Sequence, residues 1–172
     1  MKSFTKLPLY LGLTVLVFSI ILSVVKVSNQ QAFTSTKTRA NTSSASLILK
    51  YSTGNLVSLL LTSDKDVKGV DVTLKFNADK INILPSSLSG GPAFILSGGN
   101  IGPTNLFTFS AIAKKSSTTA GLVASFAVTP KSNSGSTNGD LQFVDSGTAV
   151  IDKAFGQNIL GQTQGVKFTI SK

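Results

Sequence analysis

Apolar and polar side chains alternate from residue 70, with Val70, Val72, Leu74 and Phe76 set against Asp71, Thr73 and Lys75. Successive side chains of an extended strand point to opposite faces, so the four apolar residues share one side and the three polar residues share the other. Helical spacing would scatter the same four around a circumference, so the pattern predicts a strand with one face in a core. A polar turn, Asn77-Ala78-Asp79-Lys80, follows it. A short apolar run, Ile81-Asn82-Ile83-Leu84, comes next and is expected to stop at Pro85.

The two-residue period recurs along the chain. Residues 46–51 read as a short strand, Ser52-Thr53-Gly54-Asn55 as a turn, and residues 56–62 as a second strand with Val57, Leu59 and Leu61 on one face. Residues 86–104 read as a loop-rich connection, in which glycine pairs flank the apolar island Ala93-Phe94-Ile95-Leu96. Phe107, Phe109 and Ala111 alternate with Thr108, Ser110 and Ile112, and the next segment places Leu122, Ala124, Phe126 and Val128 inward. A polar loop over 130–139 precedes short strands at 141–144 and 148–151, and Val166, Phe168 and Ile170 align in a last strand. Eight or nine short strands between turns rich in Gly, Ser, Asn and Pro, with no soluble helix, predict an all-β fold. The expected form is an antiparallel jelly-roll β-sandwich of about nine strands.

A different pattern precedes this domain. Residues 7–25 carry no charged side chain and follow Lys2 and Lys6. At about 1.5 Å per residue, a helix over that run just spans a hydrocarbon layer of roughly 30 Å. Residues 1–27 are therefore read as an N-terminal transmembrane anchor, with a cleaved signal segment as the alternative, since Gln30 three residues before a cut after Ala32 makes a poor cleavage site. The leading lysines would stay in the cytoplasm and the rest would be exported. Residues 28–44, rich in Ser, Thr, Asn and Gln, read as a flexible linker, and residues 45–172 as the sandwich.

Composition narrows the chemistry. The 172-residue chain has no Cys, His, Glu or Trp. It therefore lacks the commonest general base, the commonest neutral metal ligand, thiolate ligands and the best sugar-stacking ring. No cofactor, metal site or catalytic residue is expected. The net charge of +9 raises a nucleic-acid partner, but its distribution argues against one. Five cations and no acid lie before residue 44, and beyond it 11 lysines, mostly single, face seven aspartates. Nucleic-acid surfaces cluster Arg and Lys among aromatics, and this chain has one arginine, Arg39. Asp64 and Asp66 lack the glycine and the closing glutamate of a calcium loop, so they read as a polar turn. Gly90-Gly91 and Gly98-Gly99 are followed by neither a helix pattern nor a Gly-Lys-Ser/Thr ending, so they read as turns and not as a phosphate cradle.

Residues 67–84, an alternating strand with its aromatic, a turn and a short apolar strand, resemble the early part of bacterial cohesin domains. Gly121 with the strand after it, and residues 147–170 with Asn158-Ile159-Leu160 and Gly165-Val166, are similar to later parts of the family, so the resemblance covers about 45–170. It implies a nine-stranded jelly-roll sandwich and non-catalytic docking of a dockerin-type module, in a setting of polysaccharide degradation. It also implies a site on the solvent face of one sheet, where an aspartate of the third strand bonds partner hydroxyls, and Asp71 matches that position. Gly69 stands where many type I cohesins carry asparagine, and Asn77-Ala78 where Asp-Pro is usual. Thr73, Lys75, Thr108 and Ser110 are further candidates, as polar residues on the expected outer face of neighbouring strands. A surface glycan as ligand and a purely structural surface protein are the alternatives.

Overall fold

The computed structural model describes residues 44–114, 118–131 and 136–171. The expected membrane segment, residues 1–27, and all of the linker except Ser44 lie outside the described residues. Eleven strands follow in order: β1 (Ala45–Ser52), β2 (Leu56–Ser63), β3 (Val67–Phe76), β4 (Ile81–Gly90), β5 (Phe94–Ile101), β6 (Leu106–Ala113), β7 (Ala120–Pro130), β8 (Thr137–Phe143), β9 (Ala149–Asp152), β10 (Leu160–Gln164) and β11 (Val166–Ile170). They form two sheets, with strand order β10-β1-β2-β7-β4 in the first and β11-β8-β3-β6-β5 in the second, where β9 also pairs with β3.

Most of the buried residues of both sheets are those the alternation selects. Val70, Val72, Leu74 and Phe76 all face the core, as do Val57, Leu59, Leu61, Phe107, Phe109, Ala111, Phe168 and Ile170. Burying each Val, Leu, Ile or Phe contributes roughly 1.5–3 kcal/mol, which is why register is specified so strongly where one face is covered. Across the core, Phe107 of the second sheet meets Phe126 of the first edge-on at 5.1 Å, and Phe168 stacks on Tyr51 at 4.3 Å. In β7 the inward set is Val123, Ala124, Phe126 and Val128, with Leu122 only half-buried. The cause is a bulge: Leu59 pairs with Ala124 and Leu60 with Leu122, so Val123 is the extra residue and turns inward.

The expectation of about nine strands, all antiparallel, is corrected on three counts. First, β1 pairs in parallel with β10, a strand whose sequence, LGQTQ, is too polar to show an apolar period. Second, β4 runs through Pro85 to Gly90. It lies at the edge of its sheet, where a missing N–H is tolerated, and its ladder is interrupted between Leu84 and Ser89. The Ser87 hydroxyl fills the interruption, accepting from the Ala127 N–H at 2.8 Å and donating to the Leu84 carbonyl at 2.6 Å. Third, residues 94–101 form the edge strand β5, irregular between Ser97 and Asn100, and not a loop. An edge strand that buries chiefly Phe94 leaves almost no period to read.

The central strand β3 is joined along one side by two different strands. β9 pairs with its first half, from Val67 to Asp71, and β8 with its last three residues, from Leu74 to Phe76. The short 3-10 turn Asp145–Gly147 crosses the gap between them. There the Thr73 carbonyl accepts from the Val144 N–H at 2.9 Å, and the Thr73 N–H donates to the Thr148 hydroxyl at 3.3 Å. That hydroxyl donates in turn to the Val144 carbonyl at 2.9 Å. Farther along, the carboxylate of Asp152, buried at an inward position of β9, accepts the N–H groups of Phe155 at 2.9 Å and Gln157 at 3.1 Å. It thereby closes the turn that sends the chain back to β10.

Thr148 is 3 % exposed, so losing its hydroxyl strands buried backbone groups with no water to replace it. Thr148→Val is expected to lower stability by about 1–3 kcal/mol, read as a lower urea midpoint with an unchanged slope. An unchanged midpoint would mean that the splice does not depend on this hydroxyl.

Candidate functional site

The outer face of the second sheet is built by register. Antiparallel pairing places Asp71 opposite Ser110, Thr73 opposite Thr108, and Lys75 opposite Leu106. β5 extends the rows, with Ile95 opposite Ile112 and Ser97 opposite Ser110, and β9 adds Ile151 opposite Gly69 and Ala149 opposite Asp71. Two adjoining rows of different character result. One runs Ile151, Gly69, Ile112, Ile95, and the next runs Ala149, Asp71, Ser110, Ser97. Ile95 is 56 % and Ile112 54 % exposed, high values for such large apolar side chains side by side on one face.

Asp71 is exposed, and its carboxylate accepts from the Ser110 hydroxyl at 2.6 Å. Thr73 is half-buried beneath the crossing turn, its hydroxyl donating to the Gly147 carbonyl at 2.9 Å. A Cβ on Gly147 would collide with the Thr73 side chain, so the crossing is this low only because residue 147 is glycine. Thr108 lies near the Asn100 carbonyl, its hydroxyl 3.5 Å away. Asp71, Thr73, Thr108 and Ser110 converge on one concavity of about 310 Å³, walled by the β5 irregularity on one side and by Gly147 on the other. Lys75 is not part of it. It lines a separate depression of about 270 Å³ with Asn77, Asp140 and Gln142, where the Gln142 amide donates to Asp140 at 3.1 Å.

The sequence reading did not select Ile95, Ile112 and Ile151, nor the wall made by Ser97, Gly98, Gly99 and Asn100. A signal existed for Ile112, an apolar residue on the polar side of an alternating strand. The wall was read as a loop because two adjacent glycines break the strand period. Gly69 also finds its explanation here. It follows the β3 irregularity between Val67 and Gly69, and a Cβ there would lie 3.2 Å from the Ala111 carbonyl oxygen, closer than the backbone easily allows. The position therefore favours glycine and leaves bare backbone between Ile112 and Ile151.

No family model matches the chain, and no curated protein matches it in sequence. Its fold, in contrast, is that of cohesin modules, and the described residues form a cohesin-like domain. It is similar to CaCohA2 from Clostridium acetobutylicum with a TM-score of 0.59 at 14 % identity, over 74 % of this chain and 91 % of that one. The sixth cohesin of scaffoldin B from Acetivibrio cellulolyticus, solved in complex with a dockerin, gives 0.56 at 14 % identity, over 72 % of this chain and 96 % of that one. A non-cellulosomal cohesin from the archaeon Archaeoglobus fulgidus gives 0.55 at 12 % identity, over 75 % and 92 %.

The side chains of the polar row have room around them, whereas residue 147 is packed directly on the Thr73 side chain, so their substitutions separate. Asp71→Ala and Ser110→Ala are each expected to change unfolding free energy by less than about 1 kcal/mol, whereas Gly147→Ala is expected to cost about 1–3 kcal/mol by overpacking against Thr73. Chemical denaturation of the three variants checks the contrast, and equal losses would contradict it.

Proposed function

We propose that this domain is a non-catalytic docking module that receives a dockerin-type protein on the outer face of its second sheet, held outside the cell by the N-terminal apolar segment. The observation that carries the reading is the adjacency of the two rows. An exposed apolar strip beside a hydrogen-bonding strip on a rigid sheet has the make-up of a protein interface, an apolar centre with polar groups around it. The cohesin fold supports the partner class, because the similar Acetivibrio module is solved with a dockerin on it. A link to polysaccharide degradation belongs to the same proposal.

A surface glycan is less well served by this geometry. Binding of sugar rings favours exposed aromatic platforms, and the rows of the outer face carry none. Tyr51 is stacked on Phe168 with its hydroxyl bonded to Asn55 at 2.8 Å, and Phe155, 78 % exposed, stands on the turn after β9.

Calorimetric titration of the full chain, in detergent, with calcium-loaded dockerin-type modules from the same genome tests the proposal. Ile112→Asp is expected to weaken binding by at least about 30-fold, the scale of a central interface residue. Leu84→Asp, at an exposed apolar position on the outer face of the other sheet, is expected to leave binding unchanged. Equal binding by wild type and Ile112→Asp, or no binding by any such module, would refute the assignment.

A further inference from the structure

The concavity beside Asp71 has a chemical bias that its shape alone does not reveal. Asp71 is the one charged residue in its lining. Around that carboxylate, the hydroxyl protons on β3 and β6 are already directed into the protein. Ser110 gives its proton to Asp71 at 2.6 Å, Thr73 gives its proton to the Gly147 carbonyl at 2.9 Å, and the Thr108 hydroxyl is aimed at the Asn100 carbonyl, 3.5 Å away. A hydroxyl whose proton is committed offers only lone pairs. The floor therefore presents acceptors and a negative charge, with no cation to balance it.

We infer that this concavity is a subsite for a cationic side chain of the partner, a lysine ammonium or an arginine guanidinium, and not for a partner hydroxyl. The inference rests on the docking reading above and specifies what that partner must bring. A serine or threonine hydroxyl has one proton to give, so it satisfies one acceptor and leaves the rest facing its own lone pairs. An ammonium has three donors and a guanidinium five in a planar fork, and either one neutralises Asp71. Hydrogen bonds between ionised partners are also shorter and roughly twice as strong as neutral ones. The wall residues Ser97 and Asn100 do not oppose this, because a serine hydroxyl and an amide can each turn an oxygen toward the guest. A volume of about 310 Å³ is ample for the end of either side chain. The site thus differs from the hydroxyl-binding role that the family resemblance implies for this aspartate.

The test uses the full chain, isotope-labelled in detergent micelles, with four small probes followed by amide chemical shifts at constant ionic strength. Methylguanidinium and N-acetyl-lysine methylamide are expected to shift the amides of Ser97, Asn100 and Ser110 saturably. Tetramethylammonium, a cation without donors, and N-acetyl-serine methylamide, a neutral hydroxyl, are not. Asp71→Asn, which alters one exposed group, should weaken the guanidinium response by about tenfold or more, the scale of a charged hydrogen bond. Ser110→Ala should leave the response within about threefold, because it removes one neutral acceptor, frees the Asp71 lone pair that Ser110 had occupied, and leaves the charge in place. Equal shifts by the serine probe, unsaturable or scattered shifts, or an undiminished response in Asp71→Asn would overturn the inference. Dockerin-type modules that bind while the cationic probes do not localise would remove the subsite and leave the docking function standing. Localised probe binding with no module bound would do the reverse.

Discussion

Strand β3 cannot slip by one residue without reversing both of its faces. The slip would move Val70, Val72, Leu74 and Phe76 out of the core and carry Asp71, Thr73 and Lys75 into it. At roughly 1.5–3 kcal/mol per buried side chain, the four apolar residues alone hold this register with about 6–12 kcal/mol, an upper figure because unfolded chains are partly compact. The Asp71–Ser110 bond, lying on the surface, contributes far less. The buried face therefore sets where the outer face stands, and the outer face imposes almost nothing in return. That asymmetry leaves the exposed positions of β3 free to take residues suited to a partner. Pairing then spreads the order outward, since the residues of β6 and β9 in these rows have their places fixed by register with β3, and those of β5 by register with β6.

The same dependence explains what could be read from the sequence. β3, β6 and β11 announce themselves because one face is buried and the other wet, so a two-residue period survives in the sequence. Asp71, Thr73, Thr108 and Ser110 were found through that period, and all four meet at one concavity. Lys75 shares the period but stands two residues farther along the strand, in another depression. Edge strands carry less of the signal. β4 continues through Pro85, β10 is polar, and β5 contains two adjacent glycines, so the second half of β4 and all of β5 and β10 escaped a reading based on alternation. The loss mattered most at β5, because Ile95 and the wall of the concavity both belong to it. The crossing turn was recognised as a turn, but its passage over Thr73 depends on a pairing between residues about 75 apart in the chain. No local pattern encodes that.

The structure also sets a stabilising splice apart from the proposed docking face within a small area. Thr73, Gly147 and Thr148 form a splice whose groups are spent on one another. Two residues along β3, Asp71 stands open to solvent, as do Ile95 and Ile112 in the neighbouring row. The splice keeps β8 and β9 coplanar with β3, so that Ile151 stands in line with Ile112 across Gly69. A rigid sheet presenting an apolar strip beside a charged, acceptor-rich hollow can select a partner by both shape and charge. Sandwiches of 10–14 % identity share this fold, so under the proposed docking function a choice of partner would rest on the residues of the outer face and not on the fold.

The central claim, that the outer face of the second sheet is where a dockerin-type partner docks, is tested most directly by following isoleucine methyl groups in the full chain. With a calcium-loaded dockerin-type module bound and selectively saturated, the account predicts that signal is lost at Ile95, Ile112 and Ile151 and kept at Ile48, whose side chain lies on the outer face of the first sheet. Loss at Ile48 with Ile112 unaffected would contradict it.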